Sequence, residues 1–101
     1  MQVVISGYGR MGHMVEQVLL ERGIECAGKT EDVASFPADI AAESVCIDFT
    51  TPEAFRANYR ILAERFKAVV VGTTGWNDIA SEVKDCFKEC GTTLVYASNF
   101  S

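Results

Sequence analysis

Residues 2–12 constrain the fold more than any other stretch. Val3-Val4-Ile5 is a strand-like apolar run. It leads into Gly7-Tyr8-Gly9-Arg10-Met11-Gly12, after which an apolar stripe at helical spacing begins. A G-x-G-x-x-G segment between a strand and a helix has a mechanical meaning that the bare pattern lacks. Gly7 permits the tight turn, the absent Cβ of Gly9 lets a diphosphate approach the main chain, and Gly12 lets helix and strand pack closely. The free N–H groups at the helix start, backed by the helix dipole, favour an anion. Tyr8, Arg10 and Met11 supply the rest of that backbone. The expected ligand is a dinucleotide.

Beyond the loop, strand and helix patterns alternate. The first strand covers about residues 2–6. A helix follows from about Arg10 to Arg22, with Met11, Val15, Val18 and Leu19 on its buried face and Gly23 as its stop. The second strand runs from Ile24 to about Gly28. Residues 29–44 are read as a short strand near Val33–Phe36 and then a polar connection with Pro37. Val45–Phe49 is the next strand. Thr51 caps a helix that starts at Pro52, with Glu53 in its first turn and Phe55, Tyr59, Leu62 and Phe66 on its buried stripe. Ala68–Val71 is an apolar strand with both faces covered. Gly72-Thr73-Thr74-Gly75 leads to a helix from near Asn77 that buries Ile79, Val83, Phe87 and Cys90 and stops at Gly91. Thr93–Tyr96 is the last strand.

This alternation predicts an α/β chain: a Rossmann-like, doubly wound parallel sheet in three layers, α/β/α, with right-handed crossovers. With the weak strand at Val33–Phe36 included, the strand order is 3-2-1-4-5-6. Ligands of such sheets bind beyond the carboxyl ends of the strands, where the order reverses. The glycine loop and Phe49-Thr50-Thr51 should therefore face one another across one crevice.

The chain has 101 residues and a net charge of −5, so it is one small domain with an acidic surface that speaks against nucleic acid as a partner. There is no basic n-region and no apolar run of about 18 or more residues, so neither a signal peptide nor a membrane span is expected, and the cytoplasm is the expected location. Cys26 and Cys46 fall in strands as small hydrophobes. Cys86 and Cys90 stand four apart on a helix, but a closed structural metal site needs four ligands and His13 is the only histidine. No metal site is expected, and His13 reads as a residue on a helix surface.

Several segments, in order, carry a resemblance. They are GYGRMG at Gly7–Gly12, CIDFTTPEAF at Cys46–Phe55, VVVGTTGW at Val69–Trp76 and YASNFS at Tyr96–Ser101. With them the chain resembles the nucleotide-binding domain of the dihydrodipicolinate (4-hydroxy-tetrahydrodipicolinate) reductases of lysine and diaminopimelate synthesis. The resemblance implies a reductase that passes hydride from NADPH or NADH to a cyclic imine dicarboxylate. It also implies a second domain for substrate binding and tetramerisation, so that the full-length protein is a homo-oligomer. On this reading residues 1–101 are the NAD(P)-binding domain of a truncated chain, inactive alone. The catalytic groups lie beyond Ser101, and no residue here is assigned a catalytic role.

The resemblance makes Phe49 and Thr50 groove residues, gives Gly72, Thr73, Thr74 and Gly75 to the ribose or the nicotinamide carboxamide, and sets Ala97, Ser98, Asn99 and Phe100 against the nicotinamide. Arg10 reads equally as a phosphate fork or a solvated arginine. Lys29 stands where NAD-selective sites usually carry an acid, with Glu31 and Asp32 just after it. The expectation is that Lys29, with Arg10, tolerates or prefers a 2′-phosphate. Asp48, in an apolar strand, should accept hydrogen bonds near the glycine loop. Trp76 reads as packing against its own helix or as a shield for the nicotinamide. Two alternatives stay open: a related aspartate- or homoserine-type dehydrogenase, and a dinucleotide sensor without catalysis.

Overall fold

In a computed structural model of the chain, residues 1–96 are described. The elements are β1 (Gln2–Ser6), α1 (Arg10–Glu21), β2 (Glu25–Thr30), α2 (Ala38–Ala42), β3 (Ser44–Asp48), α3 (Pro52–Arg65), β4 (Ala68–Val71), a 3-10 turn (Asn77–Ile79) running into α4 (Ala80–Cys90), and β5 (Thr93–Tyr96). The sheet is parallel throughout, with order β2-β1-β3-β4-β5. Chain direction across the sheet reverses between β1 and β3, the reversal that the alternating pattern predicts. It is a Rossmann-like α/β fold.

Local signals set the helix boundaries. The Thr51 hydroxyl accepts from the Ala54 amide at 3.1 Å, and Pro52 opens α3 where no N–H is required. Gly91 ends α4 at φ 69°, a left-handed conformation that costs glycine little. Strand alternation then sorts side chains between the faces. Val4, Cys46, Val69 and Val71 meet Phe55, Leu62, Val83 and Phe87 from α3 and α4 in the main core. Val3 and Ile5 point the other way, to Leu19 and Val15 of α1.

Three expectations need correction. There is no strand at Val33–Phe36. Asp32 folds that segment on itself, accepting from the Ala34 amide at 3.2 Å and the Ser35 hydroxyl at 2.7 Å, while its own amide donates to Thr30 Oγ1 at 2.9 Å. Local turn bonding overrides the β preference of Val33 and Phe36. Those two side chains instead pack into the main core, and the short helix α2 follows. The order 3-2-1-4-5-6 is therefore found without its third strand.

The apolar stripe of α1 is only partly covered. Leu19 is buried, whereas Met11 is 39% and Val18 45% exposed. Met11, Met14 and Val18 border a shallow apolar groove with Ile47 and Val70, because no described helix covers β4 and β5 on that side. On α4, Cys86 is buried and Cys90 exposed, the reverse of the expected register at that end. Among the described residues no helix is long and apolar enough to cross a membrane.

The asymmetry between the faces has a measurable consequence. Phe55 is fully buried, so Phe55→Ala should cost about 3–5 kcal/mol in urea unfolding. Val18→Ser, on the uncovered face, should stay within about 0.5 kcal/mol of wild type. Equal losses from both would contradict this assignment of the core.

Candidate dinucleotide site

Ser6, Thr30, Asp48 and Val71 stand in register at the carboxyl edge of the sheet. The turns that leave these strands therefore share one edge, and main-chain bonds extend the ladder into them. The Gly7 amide donates to the Thr30 carbonyl at 2.9 Å, that of Phe49 to Ser6 at 3.0 Å, and that of Gly72 to Asp48 at 2.8 Å. Each turn begins as a continuation of the sheet, which makes its first residues rigid.

The loop glycines have different duties. Gly7 sits at φ 88°, and a Cβ there would meet the Phe49 carbonyl oxygen at 2.8 Å. A Cβ on Gly12 would lie 2.3 Å from the Gly7 carbonyl oxygen. Both positions are closed by the fold itself. A Cβ on Gly9 would meet nothing within 4 Å. Gly9 faces open space at the N-terminus of α1, and no side chain caps that end. It lines a cleft with Gly7, Tyr8, Glu31, Thr50 and Ala54. The loop already takes one anion: the Tyr8 amide donates to the Glu31 carboxylate at 2.7 Å. Donors that hold a carboxylate oxygen suit a phosphate oxygen by the same chemistry.

Lys29 ends beside the loop with its charge already matched. Its Nζ lies 3.0 Å from Glu16 Oε2 on α1 and 4.4 Å from the centre of the Tyr8 ring. The Tyr8 hydroxyl also donates to Glu16. Those two bonds, the tyrosine's first, hold the Glu16 carboxyl below its ordinary range, and Glu16 raises both Lys29 and Tyr8. Sequence reasoning named Glu31 only as a neighbour of Lys29. Its bond to the Tyr8 amide depends on a fold back from the end of β2, and only the acid's place after that strand hinted at it.

Phe49 and Thr50 leave β3 between the two glycine-bearing loops. The Phe49 ring lies against Gly72 so closely that a Cβ there would come within 2.0 Å of it. Asp48, 1% exposed, accepts from Thr50 Oγ1 at 3.0 Å, and Thr73 Oγ1 lies 3.3 Å from its Oδ2. Burial raises the Asp48 carboxyl above its ordinary range, and the hydroxyls of Ser6, Thr50 and Thr73 counter part of that shift. The hydrogen bonds expected of Asp48 are present.

In the second loop, Thr73 is buried while Thr74 and Gly75 are exposed. Gly75, at φ 85°, is tied down by Arg56 of α3, which donates to its carbonyl at 2.7 Å and to Asp78 at 3.1 Å. This Arg56–Asp78 clamp escaped the sequence reading, which treated α3 by its apolar stripe alone.

Other candidates take structural places. Trp76 is 4% exposed, donates to the Thr73 carbonyl at 2.7 Å, and packs against Phe55 and Tyr96. Trp76 therefore packs, but against α3 and β5 rather than against its own helix. His13 lies on the exposed surface of α1, its ring against that of Tyr8 at a 34° tilt, with Nδ1 2.8 Å from the Gly9 carbonyl. Arg10 and Met11 are exposed at the first turn of α1. Ala97, Ser98, Asn99 and Phe100 lie outside the described residues.

The chain is similar in sequence to known proteins. Residues 21–100 match the family model described as dihydrodipicolinate reductase, N-terminus. The 4-hydroxy-tetrahydrodipicolinate reductase of Christiangramia forsetii is 32% identical over all of this chain, which covers 43% of that protein. The enzyme of the same name from Beutenbergia cavernae is 33% identical over 97% of the chain and 41% of its own length. That of Chromohalobacter salexigens is 44% identical over 64% of the chain and 24% of its own length. The chain thus spans less than half the length of the first two relatives. It belongs to the N-terminal domain family of the dihydrodipicolinate reductases.

Proposed function

We propose that this chain supplies the dinucleotide site of a reductase that transfers hydride from NADH or NADPH to 4-hydroxy-tetrahydrodipicolinate, in diaminopimelate and lysine synthesis. One observation carries the reading. Gly9 is the loop glycine that the fold does not itself require, with open space where a Cβ would stand, and it lines the cleft. A position kept bare where no protein atom would clash is understandable if a ligand comes there.

The nicotinamide supplies the hydride when bound. The amides of Gly7–Gly12 hold the diphosphate, with Arg10 beside it. Phe49 and Thr50 line the groove, and the loop Gly72–Gly75 offers the hydroxyls of Thr73 and Thr74 to ribose or carboxamide. Ala97, Ser98, Asn99 and Phe100 belong to the same proposal on the nicotinamide side. Proton-donating and substrate-binding groups are assigned to a further domain, within a homo-oligomer that is tetrameric in the complete protein. The four free thiols fit a reducing cytoplasm.

The glycines give the direct test. Gly9→Val should leave the far-ultraviolet spectrum and melting of the chain intact. It should weaken NADH by about ten- to a hundredfold in calorimetric titration, the worth of one or two charge-assisted bonds. Gly12→Val should destabilise the fold itself, since its side chain meets the Gly7 carbonyl. Equal NADH affinity in wild type and Gly9→Val would end the proposal. Turnover of 4-hydroxy-tetrahydrodipicolinate by the complete gene product tests the reaction.

Cofactor choice rests on the ribose edge. There Glu31 is the acceptor for ribose hydroxyls, and Lys29 reaches a 2′-phosphate only by leaving Glu16. Both nucleotides should bind at low salt, NADH the tighter. Glu31→Gln should improve NADPH about three- to tenfold relative to NADH by removing a like charge. Lys29→Ala should weaken NADPH alone. Tighter NADPH binding that ignores both substitutions would contradict this assignment.

A further inference from the structure

The loop after β4 is fastened at its two ends by different means. At its start it continues the sheet, with the Gly72 amide donating to the Asp48 carbonyl at 2.8 Å. Thr73 is buried: its hydroxyl donates to the Thr50 carbonyl at 2.9 Å, and its own carbonyl accepts from Trp76 Nε1 at 2.7 Å. Thr74 and Gly75 stand exposed beyond that anchor. Among the described residues, the hydrogen bond that reaches this outer half comes from α3, where Arg56 Nη2 donates to the Gly75 carbonyl at 2.7 Å. Pro52 packs against the same glycine, since a Cβ on Gly75 would come within 3.2 Å of its ring. Residues four apart on a helix share a face, so α3 presents Pro52 and Arg56 together to the loop.

Asp78, in the 3-10 turn that follows the loop, holds the other side of the arginine fork. Arg56 Nη1 donates to its Oδ2 at 3.1 Å, and Nη2 donates to its Oδ1 as well as to Gly75. One planar guanidinium thus spans a carboxylate and a main-chain carbonyl, as its fixed set of donors permits. The pair contributes little to stability. Its side chains are 37% and 67% exposed, and ion pairs in solvent are worth close to nothing. What it fixes is a place in the loop. Gly75, at φ 85°, is a residue that would otherwise be free to take other conformations.

We infer that Arg56 is a positioning residue for the nicotinamide half of the cleft: oriented by Asp78, it fixes the Gly75 carbonyl and so holds Thr74 beside Thr73 where the ribose or carboxamide meets the loop. This inference rests on the dinucleotide reading and deepens it. Arg56 touches no ligand on this account and acts through the loop alone. The diphosphate half does not depend on it. There the glycine loop is held by the Gly7 amide on the Thr30 carbonyl, and by the close fit of Gly7 against Phe49 and of Gly12 against Gly7.

This division of the cleft supplies the test. ADP carries the diphosphate without the nicotinamide, whereas NADH carries both. In calorimetric titration Arg56→Ala should weaken NADH by about three- to tenfold, the worth of about one hydrogen bond, and leave ADP within about twofold. Its melting temperature should stay within about 4 °C of wild type, as an exposed pair allows. Asp78→Ala should weaken NADH in the same way. Adding it to Arg56→Ala should cost nothing further, because Asp78 acts through Arg56. Unchanged NADH affinity in Arg56→Ala, equal losses of NADH and ADP, or additive losses in the double variant would overturn the positioning role and leave the diphosphate site standing. If Arg56→Ala fails to fold, Asp78→Ala decides by the same ratio of NADH to ADP affinity. A wild-type chain that binds neither NADH nor ADP would overturn the dinucleotide reading and the positioning role with it.

Discussion

The arrangement depends on main chain meeting main chain where no side chain could fit. The Gly7 carbonyl occupies the space that a Cβ on Gly12 would need, and the Phe49 carbonyl occupies the space of a Cβ on Gly7. These contacts pull the start of α1 onto β1 and bring the turn after β3 against the glycine loop. The Phe49 ring then fills the place of a missing side chain at Gly72 and so adds the third turn. Three strand ends become one surface through absent atoms. A few ångströms of separation there would leave the loop amides pointing into solvent rather than across a cleft.

Much of this was legible because periodicity and caps spoke with one voice. Thr51-Pro52 starts α3 and Gly91 ends α4 where their chemistry says they should, and β1 and β4 fall where the apolar runs lie. Failure came where local and global signals diverged. Val33 and Phe36 are good strand residues, yet Asp32 offers the backbone nearer partners, and the segment turns instead. The α1 stripe was legible as a pattern but not as burial, because what covers a helix is not encoded in the helix. The i, i+4 pairing of Cys86 and Cys90 was visible; which of them faces the core was not, since Cys86 is buried and Cys90 exposed. Glu31 and Arg56 illustrate a further limit. Each acts on a main-chain atom far along the chain, and such bonds leave no mark in spacing or composition.

Charge at the cleft is arranged in two pairs of different character. Lys29 and Glu16 form an exposed pair that steadies the Tyr8 ring at the loop's rim, where solvent keeps the electrostatic gain small. Glu31 instead places its carboxylate directly on a loop amide. The loop thus accepts negative charge even from the protein's own chain. On the proposed reading, a dinucleotide entering the cleft would compete with that carboxylate for the Tyr8 amide or recruit it to a ribose hydroxyl, and either course would link nucleotide binding to the conformation of the turn after β2.

The measurement closest to the central claim is a backbone amide titration of the chain by NMR with NADH. The account predicts large, saturable shifts at Gly9, Arg10 and Met11, with smaller ones at Thr50 and Thr73. Shifts confined to Met14, Val18 and Val70 along the apolar groove, with the loop amides unmoved, would contradict it.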